Sequence, residues 1–491
     1  MTDPDHSAPL ADDPAAAARA RVARLLDPGS GVRVGVGAGA QHVERGTLDG
    51  RPVLVAADLP AVPAGAPFLQ AIDAHPQPAE AMAAALGIAL VRLCQPTGTA
   101  GMASRDAGGH GDAWSTLHDC MTRVPVLAVY AFAGQAASTP AAGLHPVDAL
   151  RLLCSHVAIG ICSDPEAPPA DVPVDAWDES DDAAFARVRR ILACLPRRAG
   201  EPVPPTAPTA ATNAPPSGPP TVAVVPPPAD RRLPWDPAPL LSAVLDPGSL
   251  VPVWMGQAAP MGQAAATTGQ LLAGFARVDG VACAVLAGDD TEHAPLWTPA
   301  NAQRTLRLLA VATTFGLPLV QLADGPGVAA GALAAALGGA RPDLPGEDVP
   351  GSVAAGTLAL HALDGLRTLA RLRAALLAPG LATCTIATRT WYADAPAADA
   401  RHGVRLRYAW QDACRFERDD AASAEALAAL LDTAPDPERL RADIAAIRAP
   451  ARASLHAVRT GAVDAVVAVD DTRARLREFV RLLPGQPTPG R

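Results

Sequence analysis

The sequence predicts an α/β protein that contains two copies of one domain in tandem. The first observation is a long repeat: Leu25–Ser30 recurs as Val244–Ser249, and Gly46–Val53 recurs as Gly274–Val281. Solenoids and propellers repeat every ~20 to 50 residues, whereas this repeat has a period of about 220 residues. The repeat therefore corresponds to a whole domain.

The second observation is an alternation of helical patterns with short, β-rich runs, which is typical of stacked β-α units. In each copy a helix ends at an Asp-Pro-Gly-Ser sequence. The next two strands are joined by an Asp-Gly turn, whose residues tolerate positive φ. The runs that we expect to be strands are 88–94, 124–130 and 156–162 in the first half, and 317–322, 382–387 and 463–469 in the second.

The third observation is a stretch between the repeats, Pro202–Asp230, that is rich in Pro, Ala and Thr. Such a composition cannot bury a core and favours an extended linker. The predicted organisation is a tail at 1–14, an N-terminal domain at 15–198, a linker at 199–232, a C-terminal domain at 233–484 and a tail at 485–491.

Composition and charge exclude several classes of function. The chain is 49% hydrophobic and only 3% aromatic, so Ala, Val and Leu must fill the two cores. A net charge of −10, without basic stretches interleaved with aromatic residues, argues against nucleic-acid binding. All 40 basic residues are Arg. The absence of Lys excludes a Lys Schiff base, a P-loop Lys and a kinase-type ATP-binding Lys.

The spacing of the cysteines and the N-terminal sequence indicate whether to expect metal sites, disulfides or a membrane location. The eight cysteines form no CxxC pair, so we expect neither a metal site nor a disulfide framework. The N-terminus, Met1–Pro14, is acidic, and no charge-free run of 18 apolar residues occurs. We therefore expect a cytoplasmic protein that does not enter a membrane.

Several short motifs occur in the order and spacing of one known family. They are Arg24–Ser30, Gly109-His110-Gly111-Asp112, Val188–Pro196, Ala302–Asp324 followed by Pro326-Gly327, and Ala457–Val467 followed by Asp471-Thr472-Arg473. Over almost its whole length the chain resembles the carboxyltransferase (β) subunits of biotin-dependent acyl-CoA carboxylases.

This resemblance implies two crotonase-like (ClpP/crotonase superfamily) β-β-α superhelix domains. In that family, the N-terminal domain holds acyl-CoA and the C-terminal domain of a neighbouring subunit holds carboxybiotin, so homo-oligomers or hetero-oligomers with a paralogous β subunit, often hexamers, are expected. The implied cofactor is biotin on a partner carrier protein, with a coenzyme A thioester as substrate. A biotin carboxylase and a biotin carrier subunit are the implied partners, in the metabolism of fatty acid or polyketide precursors.

The resemblance also implies which residues form the site. In the family, main-chain N–H groups of Gly-Gly-Ala turns stabilise the thioester enolate and the biotin ureido oxygen. Counting from the matching strands, these catalytic donors are the backbone N–H groups of Ala136, Ala137, Asp394 and Ala395. The implied substrate-binding residues are Gly98, His110, Gly134, Gln135, Trp391 and Tyr392.

The two turns depart from the family pattern. Ala136 and Ala137 stand in place of glycines, and their Cβ atoms disfavour positive φ and narrow the approach of a thioester. Asp394 places a carboxylate where negative charge must develop. A Gly/Ala/Pro-rich insertion covers Ala329–Gly356. Arg92 is a candidate for contacting CoA phosphates, although an ion pair is the ordinary role of such an arginine.

Three functions remain open from the sequence. The first is a working carboxyltransferase, or a relative that runs the reaction toward decarboxylation. The second is a catalytically impaired subunit that keeps the oligomer-forming fold and supports an active partner. The third is a crotonase-like hydratase or hydrolase, which would need paired side-chain acids that the sequence does not provide.

Overall fold

The computed structural model describes the parts of the chain that carry the two sheets. The described residues are 14–34, 41–58, 78–94, 111–131, 154–162, 174–204, 235–254, 270–289, 296–297, 299–325, 327–328, 367–368, 370–372, 374–376, 380–392, 404–416 and 429–484. The chain divides into two compact units, one of residues 1–204 with 259–262 and the other of residues 205–258 with 263–491. The predicted tail at 485–491 and residues 205–232 of the predicted linker lie outside the described residues, and the predicted domain boundaries stay predictions.

The first unit is an α/β layer structure. Its described helices are α1 (Pro14–Leu25), α2 (Pro78–Leu86), α3 (Gly111–Arg123) and α4 (Asp181–Ala193). Its described strands are β1 (Val32–Arg33), β2 (Gln41–Leu48), β3 (Arg51–Asp58), β4 (Ala89–Cys94), β5 (Val126–Ala131), β6 (Val157–Ile161) and β7 (Ala176–Asp178). They form one sheet in the order β1-β2-β3-β4-β5-β6-β7. The first three strands pair antiparallel, and from β3 onward the pairing is parallel.

The second unit repeats this arrangement. Its described helices are α5 (Ala238–Val244), α6 (Pro299–Phe315), α7 (Pro437–Arg452), α8 (Ser454–Arg459) and α9 (Thr472–Arg481), with a 3₁₀ turn at Val469–Asp471. Its described strands are β8 (Val251–Trp254), β9 (Gln270–Val278), β10 (Val281–Asp289), β11 (Leu296–Trp297), β12 (Leu319–Gly325), β13 (Gly327–Val328), β14 (Thr383–Tyr392), β15 (Arg405–Trp410), β16 (Cys414–Phe416) and β17 (Ala465–Val467).

The main sheet of the second unit has the order β8-β9-β10-β12-β14-β15-β17, with β16 also pairing with β14. Its first three strands are antiparallel and the rest are parallel, as in the first unit. The repeat in the sequence is thus a repeat of strand order and direction. The predicted α/β fold class with a tandem domain is confirmed, and each of the six predicted runs overlaps a strand.

An aspartate at the end of the first helix fixes the hairpin of each unit. The carboxylate of Asp27 accepts hydrogen bonds from the N–H groups of Asp49 (3.0 Å) and Gly50 (2.9 Å). Asp246 accepts equivalent bonds from Asp279 (3.0 Å) and Gly280 (2.7 Å). Asp49 and Asp279 adopt φ of 51° and 54°, as the predicted Asp-Gly turns require.

Small and branched apolar residues fill most of the two cores, as the composition predicts. In the first unit, the side chains of Val43, Leu54, Leu90, Cys120 and Val126 belong to one buried cluster. The core of the second unit also has two aromatic anchors, Trp235 and Trp410, whose rings meet edge to face with centroids 6.2 Å apart. Among helices within the described residues, none has the length and apolar character needed to cross a bilayer.

Candidate functional site

The carboxyl ends of the parallel strands form one edge of each sheet, and the predicted site segments follow these ends. In the first unit Cys94, at the end of β4, pairs with Tyr130 of β5, and Tyr130 pairs with Gly160 of β6. Because the strands are parallel and in register, the chain leaves all three at the same edge. Open α/β sheets bind ligands at this kind of edge.

Most of the predicted site residues lie just beyond the described strands. Gly98 follows β4 in sequence, and Gly134–Ala137 follow β5. Those outside the described residues are Gly98, His110, Gly134, Gln135, Ala136, Ala137, Asp394 and Ala395. The backbone of Trp391 and Tyr392 is described, and it forms the last part of β14. The predicted roles of all ten residues stay predictions.

Arg92 has the ordinary role of a buried, ion-paired arginine. Its side chain lies in the first unit with only 2% exposed, and its Nη2 is 2.8 Å from Oε1 of Glu80 on α2. Its Nη1 donates to the carbonyl of Cys154 at 3.0 Å. The guanidinium therefore ties β4 to the backbone of Cys154, three residues before β6. Its burial does not suit a contact with CoA phosphates.

The second unit has an irregularity at the carboxyl end of β12 and β14. Regular parallel pairing between them reaches Ala323 and Ala387, and the next pair is Gly325 with Trp391. One residue of β12, Asp324, therefore lies opposite three residues of β14, Thr388–Thr390. We call this feature the β14 bulge. Bulges in parallel sheets are uncommon, and bulges in general redirect a strand and cluster near active sites.

The bulge changes the partner of β14. Residues Thr383–Ala387 pair with β15, whereas Thr390–Tyr392 pair with β16 through Cys414–Phe416. The strand thus continues past the end of its regular neighbour and ends at Tyr392, immediately before the predicted turn at Ala393–Ala395. The bulge therefore sets the course of β14 at its carboxyl end.

A buried ion pair lies within the bulge. Nε of Arg389 is 2.6 Å from Oδ2 of Asp324, and the two side chains are 4% and 3% exposed. The guanidinium carbon also lies 5.3 Å from the ring centroid of Trp235, within the range of a cation–π interaction. Thr388 donates its hydroxyl to the carbonyl of Ala323 at 3.4 Å. The ion pair therefore joins Asp324, the one residue of β12 opposite the bulge, to Arg389, the central residue of the bulge.

The C-terminal motif fixes helix α9 within the second unit. Trp410 packs against Trp235 and donates from Nε1 to Oγ1 of Thr472 at 3.0 Å, with both residues buried. Thr472 begins α9, and the next residue, Arg473, donates to the carbonyl of Leu245 at 2.7 Å. The Thr-Arg pair of the sequence motif thus fixes α9 to β15 and to the end of α5.

Two buried cysteines among the described residues are not activated nucleophiles. Burial raises the pKa of the Cys120 thiol to about 12, which leaves it protonated near neutral pH. Burial also raises the pKa of the Cys384 thiol, on β14, far above its ordinary value. Within the described ranges, His, Cys, Asp and Glu side chains form no group of three or more that could hold a metal ion.

The fold is that of known carboxyltransferases. It matches the crystal structure of transcarboxylase 12S with methylmalonyl-CoA and methylmalonic acid bound, with a TM-score of 0.63 and 20% identity over 96% of this chain and 91% of that chain. The chain has a carboxyltransferase fold. A family model for the carboxyl transferase domain also matches residues 174–339. The family resemblance that the motifs predict is confirmed.

Two further structures share the carboxyltransferase fold. Transcarboxylase 12S with hydrolysed methylmalonyl-CoA bound gives a TM-score of 0.59 and 19% identity over 96% of this chain and 91% of that chain. A single-chain, multi-domain long-chain acyl-CoA carboxylase gives 0.55 and 17%, over 95% of this chain and 46% of that chain. The comparison with curated proteins gives no match.

The sequence motifs include Asp324 but give Arg389 no role, and they do not predict that the two form a pair. Asp324 ends the strand motif that precedes Pro326-Gly327, and Arg389 follows the next strand of the sheet in sequence. An acid and an arginine near the carboxyl ends of neighbouring parallel strands are a detectable signal for such a pair. The bulge that brings them together leaves no such signal.

Proposed function

We propose that this chain is the carboxyltransferase subunit of a biotin-dependent acyl-CoA carboxylase. In this proposal, the first unit binds the acyl-CoA thioester and the second binds the carboxybiotin of a partner carrier protein. The β14 bulge is the observation that carries the proposal. A strand that extends past its regular neighbour, and whose end is fixed by a buried ion pair, suits the presentation of main-chain N–H groups to a ligand.

The chemistry needs main-chain donors more than side-chain acids or bases. When bound, carboxybiotin supplies the activated carboxyl group. The N–H groups of Ala136 and Ala137 would hold the thioester oxygen while the α carbon loses its proton. Those of Asp394 and Ala395 would hold the ureido oxygen of biotin. Fixed N–H donors in a site that excludes water stabilise developing negative charge strongly.

The residues near the end of β14 suit this ligand in composition. Trp391 and Tyr392 end β14. Trp297 of β11 pairs with Val328 of β13, the short strand that follows Gly325 and Pro326 in sequence. Aromatic residues are scarce in this chain, at 3% of all residues, yet three lie close to this edge in the strand register. Apolar aromatic surface favours binding of a compact bicyclic ring system such as biotin.

The proposal extends to partners and location. A biotin carboxylase and a biotin carrier subunit would deliver the carboxyl group, and the chain would act in the cytoplasm. It would assemble as a homo-oligomer or with a paralogous β subunit, in a hexamer such as the one named for transcarboxylase 12S. We further propose that the substrate carries an acidic α carbon next to a thioester, as in short acyl-CoA precursors of fatty acids or polyketides.

A second candidate function is that of a catalytically impaired scaffold subunit. Asp394 favours it, because a carboxylate beside a developing anion opposes the charge that the site must stabilise. Alanines in place of the glycines at 136 and 137 favour it as well. A decarboxylase that releases CO2 from a malonyl-type CoA ester is a third candidate, because it needs only the enolate-stabilising donors of the first unit.

The reverse half-reaction tests these candidates with the chain alone. Purified protein is incubated with malonyl-CoA or methylmalonyl-CoA and free biotin, and the decarboxylated CoA product is measured by liquid chromatography. Biotin-dependent product supports the carboxyltransferase, whereas product without biotin supports the decarboxylase. No product in either case, together with activity that appears only when a paralogous β subunit is added, supports the scaffold.

A further inference from the structure

We propose that Arg389 is a positioning residue, and this inference rests on the proposed function. Through its ion pair with Asp324, Arg389 fixes the β14 bulge and thereby the position of the strand end at Trp391 and Tyr392. It does not contact the ligand. Its effect on carboxyl transfer passes through the backbone of Trp391 and Tyr392.

The first step of the argument is position. Arg389 is the central residue of the three that lie opposite Asp324. The last residue of β14 that pairs with β15 is Ala387, two residues before Arg389. The first that pairs with β16 is Thr390, the residue after Arg389. The regular part of the sheet ends before it, so the ion pair stabilises the strand end rather than the sheet as a whole.

The second step is the strict geometry of a buried charge pair. Both side chains are almost fully buried, so neither charge is solvated by bulk water. Such a pair is tolerated only when its geometry is excellent, because desolvation opposes it. The planar guanidinium offers several donors in a fixed arrangement, and the face of Trp235 restricts its tilt. A lysine in its place keeps the charge but loses this directional control.

The third step links the bulge to catalysis. A small displacement of groups that stabilise a transition state lowers the rate by about 100-fold, even when the change lies away from the chemistry. Residues that orient metal ligands from outside typically cost about 10–100-fold in activity when they are mutated, and we expect a loss of the same order here. Because the strand end at Trp391 and Tyr392 belongs to the proposed biotin side, loosening it should lower kcat more than it changes the binding of acyl-CoA.

The experiment compares two variants with a control in the same unit. Arg389→Lys keeps the charge, and Arg389→Met combined with Asp324→Asn removes both charges so that no unpaired charge stays buried. The control, Arg473→Lys, alters an arginine that contacts Leu245 and Asp246 at the opposite edge, beside the turn that precedes β10. Amide hydrogen exchange and the kinetics of biotin-dependent carboxyl transfer from malonyl-CoA are measured for each.

In both Arg389 variants we expect faster exchange at Thr390–Tyr392 and Cys414–Phe416, with exchange at Thr383–Ala387 unchanged. We expect kcat to fall by about 10–100-fold while KM for malonyl-CoA stays within about twofold. Arg473→Lys should leave the exchange at β16 and both kinetic constants as in the unmodified chain. A folded double variant with unmodified exchange at β16, or with unmodified kcat, would overturn the inference.

The two readouts separate this inference from the proposed function. If the unmodified chain transfers no carboxyl group, the proposed function fails. The exchange data then still decide whether Arg389 holds the bulge. If the chain is active and the exchange changes without any change in kcat, Arg389 has a structural role only, and the proposed function stands without this inference.

Discussion

Arg189 and Arg473 make similar contacts in the two units, each with a carbonyl at the end of the first helix. Nη2 of Arg189, on α4, donates to the carbonyl of Leu25 at 2.6 Å, and Nη1 of Arg473, on α9, donates to the carbonyl of Leu245 at 2.7 Å. Each arginine also reaches the aspartate that caps the hairpin, Asp27 in one unit and Asp246 in the other. The last described helix of each unit is thereby joined to the first, where helix-end carbonyls favour a nearby cation.

The first prediction concerns the pH dependence of stability at Asp27. Burial by itself opposes ionisation of Asp27, but hydrogen bonds from Gly50, Arg189, Thr47 and Asp49 outweigh it and hold the pKa well below its usual range. A depressed pKa gives stability that is present above the ordinary aspartate pKa and is lost as the pH falls toward the folded-state pKa. We expect Asp27→Asn to lower the free energy of unfolding by about 1–3 kcal/mol at pH 7.

This deficit should shrink as the pH is lowered from about 5 to 2, measured by urea denaturation at each pH. Asp182→Asn is the control, because the Asp182 side chain is 79% exposed and its ion pair with Arg24 is on the surface. Its effect should stay below ~1 kcal/mol at every pH. A deficit in Asp27→Asn that is constant over the pH range would contradict the prediction.

The second prediction concerns the hydrogen bond between Trp410 and Thr472. In Thr472→Val the indole N–H of Trp410 loses its acceptor while it stays buried, which costs about 1–3 kcal/mol. Thr472→Ser keeps the hydroxyl and should cost less than Thr472→Val. Thermal unfolding of the two variants gives the comparison. A loss in Thr472→Val that is no larger than the loss in Thr472→Ser would contradict the prediction.

The third prediction concerns the close contact between Gly160 and Trp177. A Cβ at Gly160 on β6 would overlap the indole ring of Trp177 on the neighbouring edge strand β7. We expect Gly160→Ala to destabilise the first unit by about 1–3 kcal/mol. Combining it with Trp177→Leu should cost less than the sum of the single changes, measured in a double-mutant cycle by chemical denaturation. Additive losses would rule out a steric cause.

The fourth prediction concerns the two departures in the predicted turns. Ala136→Gly with Asp394→Gly removes a Cβ and a carboxylate from the proposed donor sites. A carboxylate near a developing anion costs on the order of 1–4 kcal/mol, so we expect the rate of biotin-dependent carboxyl transfer to rise by about fivefold or more. Asp412→Gly, at an exposed position near the end of β15, serves as a matched control. An unchanged rate in the double variant would count against the placement of the site.

The sequence predicts the regular parts of this fold well, because they depend on local patterns. The Asp-Gly turns at Asp49 and Asp279 have the expected positive φ, and the predicted strands lie where apolar runs occur. Local sequence patterns do not predict that Asp27 and Asp246 cap the hairpins. It depends on hydrogen bonds to residues more than 20 positions away, although the repeated Asp-Pro-Gly-Ser segments mark the place.

The candidate site is less predictable, for a physical reason. The motif matches include Asp324 and give Arg389 no role, but strand pairing brings the two side chains within 2.6 Å. The β14 bulge shifts the register by two residues, and no hydrophobic periodicity encodes such a shift. The burial of Arg92 against Glu80 is not predictable from the sequence either, because it depends on how α2 packs on β4.

The arginine contacts that join the first and last helices also bear on how the chain is made. Arg189 follows Asp27 by 162 residues, and Arg473 follows Asp246 by 227. Each contact must wait until almost a whole unit has left the ribosome, and such distant pairing slows folding. The contact between Asp27 and Arg189 involves no residue after Arg189, so it can form while the rest of the chain is still being translated. Early formation shortens the time for which the apolar sheet of the first unit is exposed to aggregation.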